Sequence, residues 1–187
     1  MKLFHLIGLL ALFSCTAQAQ VDSTQTASSA ELVQPQLRPS PVAMAQYKTD
    51  NCYMKLTYGQ PMRKGRAIFG KLEPYGKLWR TGANEATELT FTKDVRIAGQ
   101  PVRSGTYTLF SIPNENSWTI ILNTDLGQWG AFNYKPEHDY VRVDVPAGKN
   151  SQLYEALTFK FEETHDGAVL NLMWDDVKVQ IPMAFTK

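Results

Sequence analysis

Short runs in which apolar and polar residues alternate constrain this chain more than any other feature. Cys52, Met54, Leu56 and Tyr58 alternate with Tyr53, Lys55 and Thr57; Leu157, Phe159 and Phe161 alternate with Thr158, Lys160 and Glu162; Val177, Val179 and Ile181 alternate with Lys178 and Gln180. A period of two sends one set of side chains toward a core and the other toward solvent, as in half-buried antiparallel strands. Further strands are read at 88–92, 94–97, 106–112, 118–123, 140–145 and 168–174. Turn signals stand between them at Ala98-Gly99, Ser104-Gly105, Pro113-Asn114-Glu115-Asn116, His165-Asp166-Gly167 and Asp175-Asp176. Helical turns find room only at 65–72 and 150–156. About nine or ten short strands at this spacing predict an all-β fold, a single antiparallel β-sandwich or flattened barrel.

The N-terminus reads as a secretory signal peptide over 1–19. Met1-Lys2 leads an apolar run from Leu3 to Phe13, broken by His5 and Gly8, and Ala17-Gln18-Ala19 offers a small-x-small cleavage site before Gln20. The run is too short to anchor the chain across a bilayer, so no transmembrane span is expected. Leu12-Phe13-Ser14-Cys15 also resembles a lipoprotein box, in which Cys15 would be lipidated and lead the mature chain, although Phe13 suits that box poorly. Export is therefore expected, to the periplasm or beyond in the first case and as an outer-membrane lipoprotein in the second. The segment 20–40, rich in Gln, Ser, Thr, Ala and Pro, reads as a disordered polar tether, and 41–187 as one folded domain.

Loss of 1–19 would remove Lys2, so that 19 basic against 18 acidic side chains becomes 18 against 18. A neutral chain without a basic run has no electrostatic reason to bind nucleic acid or anionic lipid. Cys52 would be the last thiol of such a mature chain, which leaves no intramolecular disulfide; on the apolar face of its strand it reads as a small buried hydrophobe.

Function is sought in the longest irregular connection, 59–86, because the loops at the end of a sandwich are where sites tend to sit. Its stretch PYGKLWRTGANEAT, 74–87, concentrates polar and aromatic side chains in a segment too broken by Pro and Gly to be an ordinary strand. As a site, Arg66 and Arg80 would be forks for an anion, Tyr75 and Trp79 stacking surfaces, and Asn84 and Glu85 partners for hydroxyls. As architecture, Arg80 and Glu85 would pair with each other, Gly82 would supply a positive φ, and Trp79 would plug the end of the sandwich.

Trp129-Gly130-Ala131-Phe132-Asn133-Tyr134 adds large aromatics in a second loop, where Trp129 and Tyr134 are candidates to stack on a sugar or an aromatic ligand. Glu137-His138-Asp139 carries metal-capable side chains, but neighbours in an extended segment do not converge on one ion, so no metal or other cofactor is nominated. Nor does a nucleophile with its base, a P-loop or a dinucleotide fingerprint appear, and no catalytic residue is assigned.

GQPMRKGRAIFGKLEPYGKLWRTGANEATELTF, followed by SGTYTLFSIP and WTIILN, resembles the domain-of-unknown-function family numbered 2911, secreted or lipid-anchored envelope proteins of Gram-negative bacteria. The resemblance runs from about Ser40 to near the C-terminus, with KGRAIFG and PYGKLWRTGANEAT its most specific parts. It implies an envelope location and a mostly β fold, and no established activity. Gln60 departs from the pattern, standing before Pro61 where the family leads one to expect Arg. Three function classes follow: a non-enzymatic binding module for a small polar or anionic ligand or glycan fragment, a structural or assembly protein of the envelope, and a hydrolase using Glu85. The last would need a second carboxylate, which the sequence does not nominate.

Overall fold

The computed structural model describes residues 35–185. The proposed signal peptide, Cys15 and residues 20–34 of the tether lie outside the described residues. Within them the alternating runs become nine strands: β1 (Val42–Lys48), β2 (Tyr53–Gly59), β3 (Thr87–Phe91), β4 (Val95–Ile97), β5 (Gln100–Val102), β6 (Gly105–Ile112), β7 (Ser117–Asn123), β8 (Asp139–Thr164) and β9 (Gly167–Phe185). They form one antiparallel sheet in the order β1-β2-β3-β6-β7-β8-β9-β4-β5, which does not close into a barrel. The expected all-β, sandwich-like architecture is the one observed.

The sheet doubles over because β8 is long. Its first part pairs with β7 as far as Pro146, and from Ala147 onward it pairs with β9. One strand thus belongs to two leaves, β1-β2-β3-β6-β7 on one side and β9-β4-β5 on the other. The inward sets of both leaves meet in a single core that includes Met54, Leu56, Leu89, Leu109, Ile120, Leu157, Leu172 and Ile181. Aromatic contacts bind the leaves together: Tyr58 meets Phe159 edge-on at 4.7 Å, and Tyr47 lies 6.3 Å from Phe161.

The structure corrects several local expectations. Asp175-Asp176 is no turn: β9 runs straight through it, and Asp175, at φ 56°, marks an irregularity where the β8–β9 register shifts. The two carboxylates that imitate turn chemistry are held by separate cations, Asp175 by Arg63, whose Nε lies 2.8 Å from its Oδ1, and Asp176 by Lys149 at 3.5 Å. The runs at 140–145 and 157–161 likewise fuse into β8, and the stretch 150–156 between them is extended rather than helical. At 65–72 the chain makes tight turns without a helix, and the one helical turn among the described residues is 3-10, at Pro136–His138. β1 and β5 carried no strand signal of their own; they form because a neighbouring strand offers them a ladder.

Candidate functional site

The connection from β2 to β3 is an ordered strap pinned at several points. Its first residues zip onto β8: Met62 forms a bridge with Ala156, Arg63 N donates to Glu155 O at 2.6 Å, and Gln60 Nε2 donates to Leu157 O at 3.0 Å. Gln60 is therefore spent on holding the two leaves together. Arg66 is used locally as well, donating from Nε to Arg63 O at 2.9 Å and from Nη2 to Met62 O at 2.6 Å. Tyr75 is exposed and lies with its ring against Gly70.

Trp79 is the plug that the architectural reading expected. It is 3% exposed, stacks on Trp174 at 6.0 Å, meets Trp118 and Phe69 edge-on, and donates from Nε1 to Gly82 O at 3.1 Å. Its backbone pairs with Ser111 of β6, beyond Leu109, the partner of the first residue of β3. The chain then loops out and returns through buried hydroxyls. Thr81 Oγ1 bonds Ser111 Oγ at 3.0 Å, and Thr87 Oγ1 donates to Thr81 O at 2.8 Å. The positive φ values fall on Thr81 (56°) and Asn84 (63°), not on Gly82 as expected. Gly82 has a different duty, as does Gly59: these two pack so closely that a Cβ on Gly59 would overlap the Ala83 carbonyl.

Arg80 and Glu85 do not form the expected pair. Glu85 turns outward, where Arg38 Nη2 donates to its two oxygens at 2.7 and 2.9 Å. That hydrogen bond holds the Glu85 carboxyl below the ordinary carboxylate range. The side chain facing Arg80 and Arg66 electrostatically is Glu73, which nothing in the sequence singled out. Burial pushes its carboxyl up to about 7, against the pull of Arg80 and then Arg66. Arg80 Nε is buried with no hydrogen-bond partner among the described residues.

Past Thr81 the strap emerges and meets the second loop. Asn84 O accepts from Gly130 N and Ala86 N donates to Gln128 O, each at 2.9 Å, so that Glu85 sits directly across from Trp129. Asn84 also ties in the chain before β1, its Nδ2 donating to Ser40 O at 3.3 Å. Trp129 is 56% exposed, and the Arg38 guanidinium carbon stands 5.9 Å from its ring centroid. Tyr134 is separated from this rim. Its ring packs edge-on against Phe110 at 5.0 Å, and its hydroxyl donates to Asp139 Oδ2 at 2.6 Å; burial first, then that bond, raises the phenol to about 12.

Two hollows flank the Glu85–Trp129 bridge. The smaller, about 190 Å³, lies between β2 and the strap and includes Glu85, Glu88 and Gln128 in its lining. The larger is an open groove of about 740 Å³ beside Trp129, with Asp125, Gln128, Asn133 and Lys135 around it. The structure thus brings Asn84, Glu85 and Trp129 together, buries Trp79, engages Arg66 and Tyr134 in hydrogen bonds elsewhere, and places Tyr75 and Arg80 outside this rim. Glu88 and Gln128 escaped sequence reasoning: Glu88 read as one outward residue of a strand, and Gln128 carried no signal except its place beside Trp129.

Comparison with curated proteins and with solved structures returns no match. One family, described as "Protein of unknown function (DUF2911)", matches residues 40–183. That span takes in the sheet, the strap and both hollows, and the chain belongs to the DUF2911 family.

Proposed function

We propose that the domain is a non-enzymatic binding module of the cell envelope, taking a small polar ligand or glycan fragment at the rim where Glu85 meets Trp129. The observation that carries this reading is a large exposed aromatic, Trp129, set beside an open groove with Asp125, Asn133 and Lys135. An exposed indole offers a flat apolar face to a sugar ring, and short polar side chains at its edge can exchange hydrogen bonds with hydroxyls. The backbone bridge to Glu85 fixes that loop against the strap, and Trp79 fixes the strap against the core, so the rim is preformed.

The hydrolase reading is weakened by the same geometry. A glycosidase acid must hold a proton at neutral pH, whereas Arg38 keeps Glu85 ionised and occupies both of its oxygens. The structural reading accounts for Trp79, its hydroxyl network and the Glu85–Trp129 bridge, but not for an indole left 56% exposed beside an open groove. Titration of the isotopically labelled protein with envelope oligosaccharides, followed by NMR, tests the proposal. Shifts should concentrate at Trp129, Asn133 and Glu85 and vanish in Trp129→Ala; a full panel of saccharides without shifts at these residues defeats it.

A further inference from the structure

The smaller hollow has a chemical bias that narrows the ligand. Its charged groups are two carboxylates, Glu88 and the Arg38-paired Glu85; the Gln128 amide and the Thr57 hydroxyl are its neutral polar groups, while Val42, Tyr58 and Ala86 contribute wall. The lining includes no Lys, Arg or His. An anion in this position would meet two carboxylates, which argues against the anionic ligand that the arginines of the strap suggested.

Gln128 sharpens the point. It is only 8% exposed, and its Nε2 donates to Asp125 O at 3.0 Å. That bond sets the orientation of the amide, because the reverse orientation would place two acceptors face to face. The other end, Oε1, is buried and has no donor among the described residues. A buried acceptor without a donor is destabilising and calls for an explanation, and a ligand donor is one. Glu88 presents the same arrangement in milder form: Oε1 accepts from Gly127 N at 2.9 Å, which holds the carboxylate in place beside the hollow. Gly127 and Gln128 line the open groove as well, so the two hollows share this part of their wall.

We infer that this hollow receives a primary ammonium, held by Glu88 and Gln128, so that the saccharide recognised is one carrying a free amine. The inference rests on the binding-module reading for the saccharide, but the ammonium site stands on its own acceptors. An ammonium has three donors and no acceptor, which matches the two fixed acceptors, Glu88 and the Gln128 Oε1; the Glu85 carboxylate nearby is already paired with Arg38. Acylation of the amine removes the charge and two donors and adds bulk in a space of about 190 Å³.

The experiment is a calorimetric and NMR titration of the exported protein with three probes: a glucosamine disaccharide, its fully N-acetylated counterpart, and butylammonium. The free disaccharide should bind at least tenfold more tightly than the acetylated one, and Glu88→Gln, which keeps the shape and the Gly127 bond, should abolish that preference without changing the melting temperature. Equal binding of the two disaccharides, or a preference untouched in Glu88→Gln, overturns the inference and leaves the glycan reading standing. Butylammonium shifts centred on Glu88 and Gln128 with no disaccharide binding uphold the ammonium site and defeat the glycan reading. No response to any probe defeats both.

Discussion

Trp79 and Glu85 are six positions apart on one strap, and they live in different worlds. Trp79 is locked among Phe69, Trp118 and Trp174 and paired through its backbone to β6. Glu85 stands at the surface, tied to Arg38 from the chain before β1 and facing Trp129. The difference lies in what each can lose. A buried aromatic loses packing that no solvent replaces, whereas an exposed ion pair exchanges one set of polar partners for water. Residue types that look like one site in a sequence divide here into a foundation and a rim.

The foundation breaks most readily at Trp79. Trp79→Ala should cost about 3–5 kcal/mol in urea denaturation, because the cavity opens between the two leaves. A cost below about 1 kcal/mol would remove the distinction between the two ends of the strap. Thr87→Ala deletes the hydroxyl that satisfies the buried Thr81 carbonyl, and about 1–3 kcal/mol should go with it. Both variants should lose ligand binding only in proportion to the unfolded fraction.

Glu73 gives the foundation a pH signature. Between the ordinary glutamate value of 4.5 and about 7 the folded protein holds a proton that the unfolded chain has released. This contribution to stability is therefore full below the unfolded value and is lost as pH rises through 7. Glu73→Gln should flatten that decline and stabilise the protein at pH 8 by about 1–2 kcal/mol, since the carboxyl keeps some solvent. Urea midpoints measured from pH 4 to pH 8 in both proteins check the slope.

The rim should respond weakly in stability. Glu85→Gln is expected to cost less than about 1 kcal/mol, and Arg38→Ala about the same, with the double change costing less than the sum. A matching cycle of Arg80 and Glu85 should be additive within about 0.5 kcal/mol, because these two are not partners. The smallest effect on stability belongs to Trp129→Ala, within about 0.5 kcal/mol, although it should abolish saccharide binding. A rim variant that unfolds the protein would erase the contrast; one that keeps the fold and loses the ligand sharpens it.

Much of the foundation was legible from residues alone. The alternation in 52–58 and 157–161 marks the inward faces correctly, whereas Trp79 was open in the sequence between a stacking surface and a plug, and only its burial in the core decided for the plug. The Asp175-Asp176 pair misled, because a bulge and a turn ask for similar residues, and only pairing with β8 on one side distinguishes them. The partner of Glu85 could not be found by proximity in sequence: Arg80 is five residues away and unpaired with it, while Arg38, 47 residues away, is bonded to it.

Sequence alone determined that this chain is an antiparallel β protein, roughly where its strands fall, and that the region around the strap is crowded with recognition-capable groups. Strand formation is governed by local alternation and turn chemistry, which are written residue by residue. Tertiary structure decided which of those groups are free. Whether Gln60 reaches Leu157, whether Glu85 meets Arg80 or Arg38, and whether Gln128 finds a donor all depend on which distant segments the doubled sheet brings side by side. Hydrogen bonds and ion pairs act over a few ångströms, and only the folded chain sets distances that short between residues far apart in sequence.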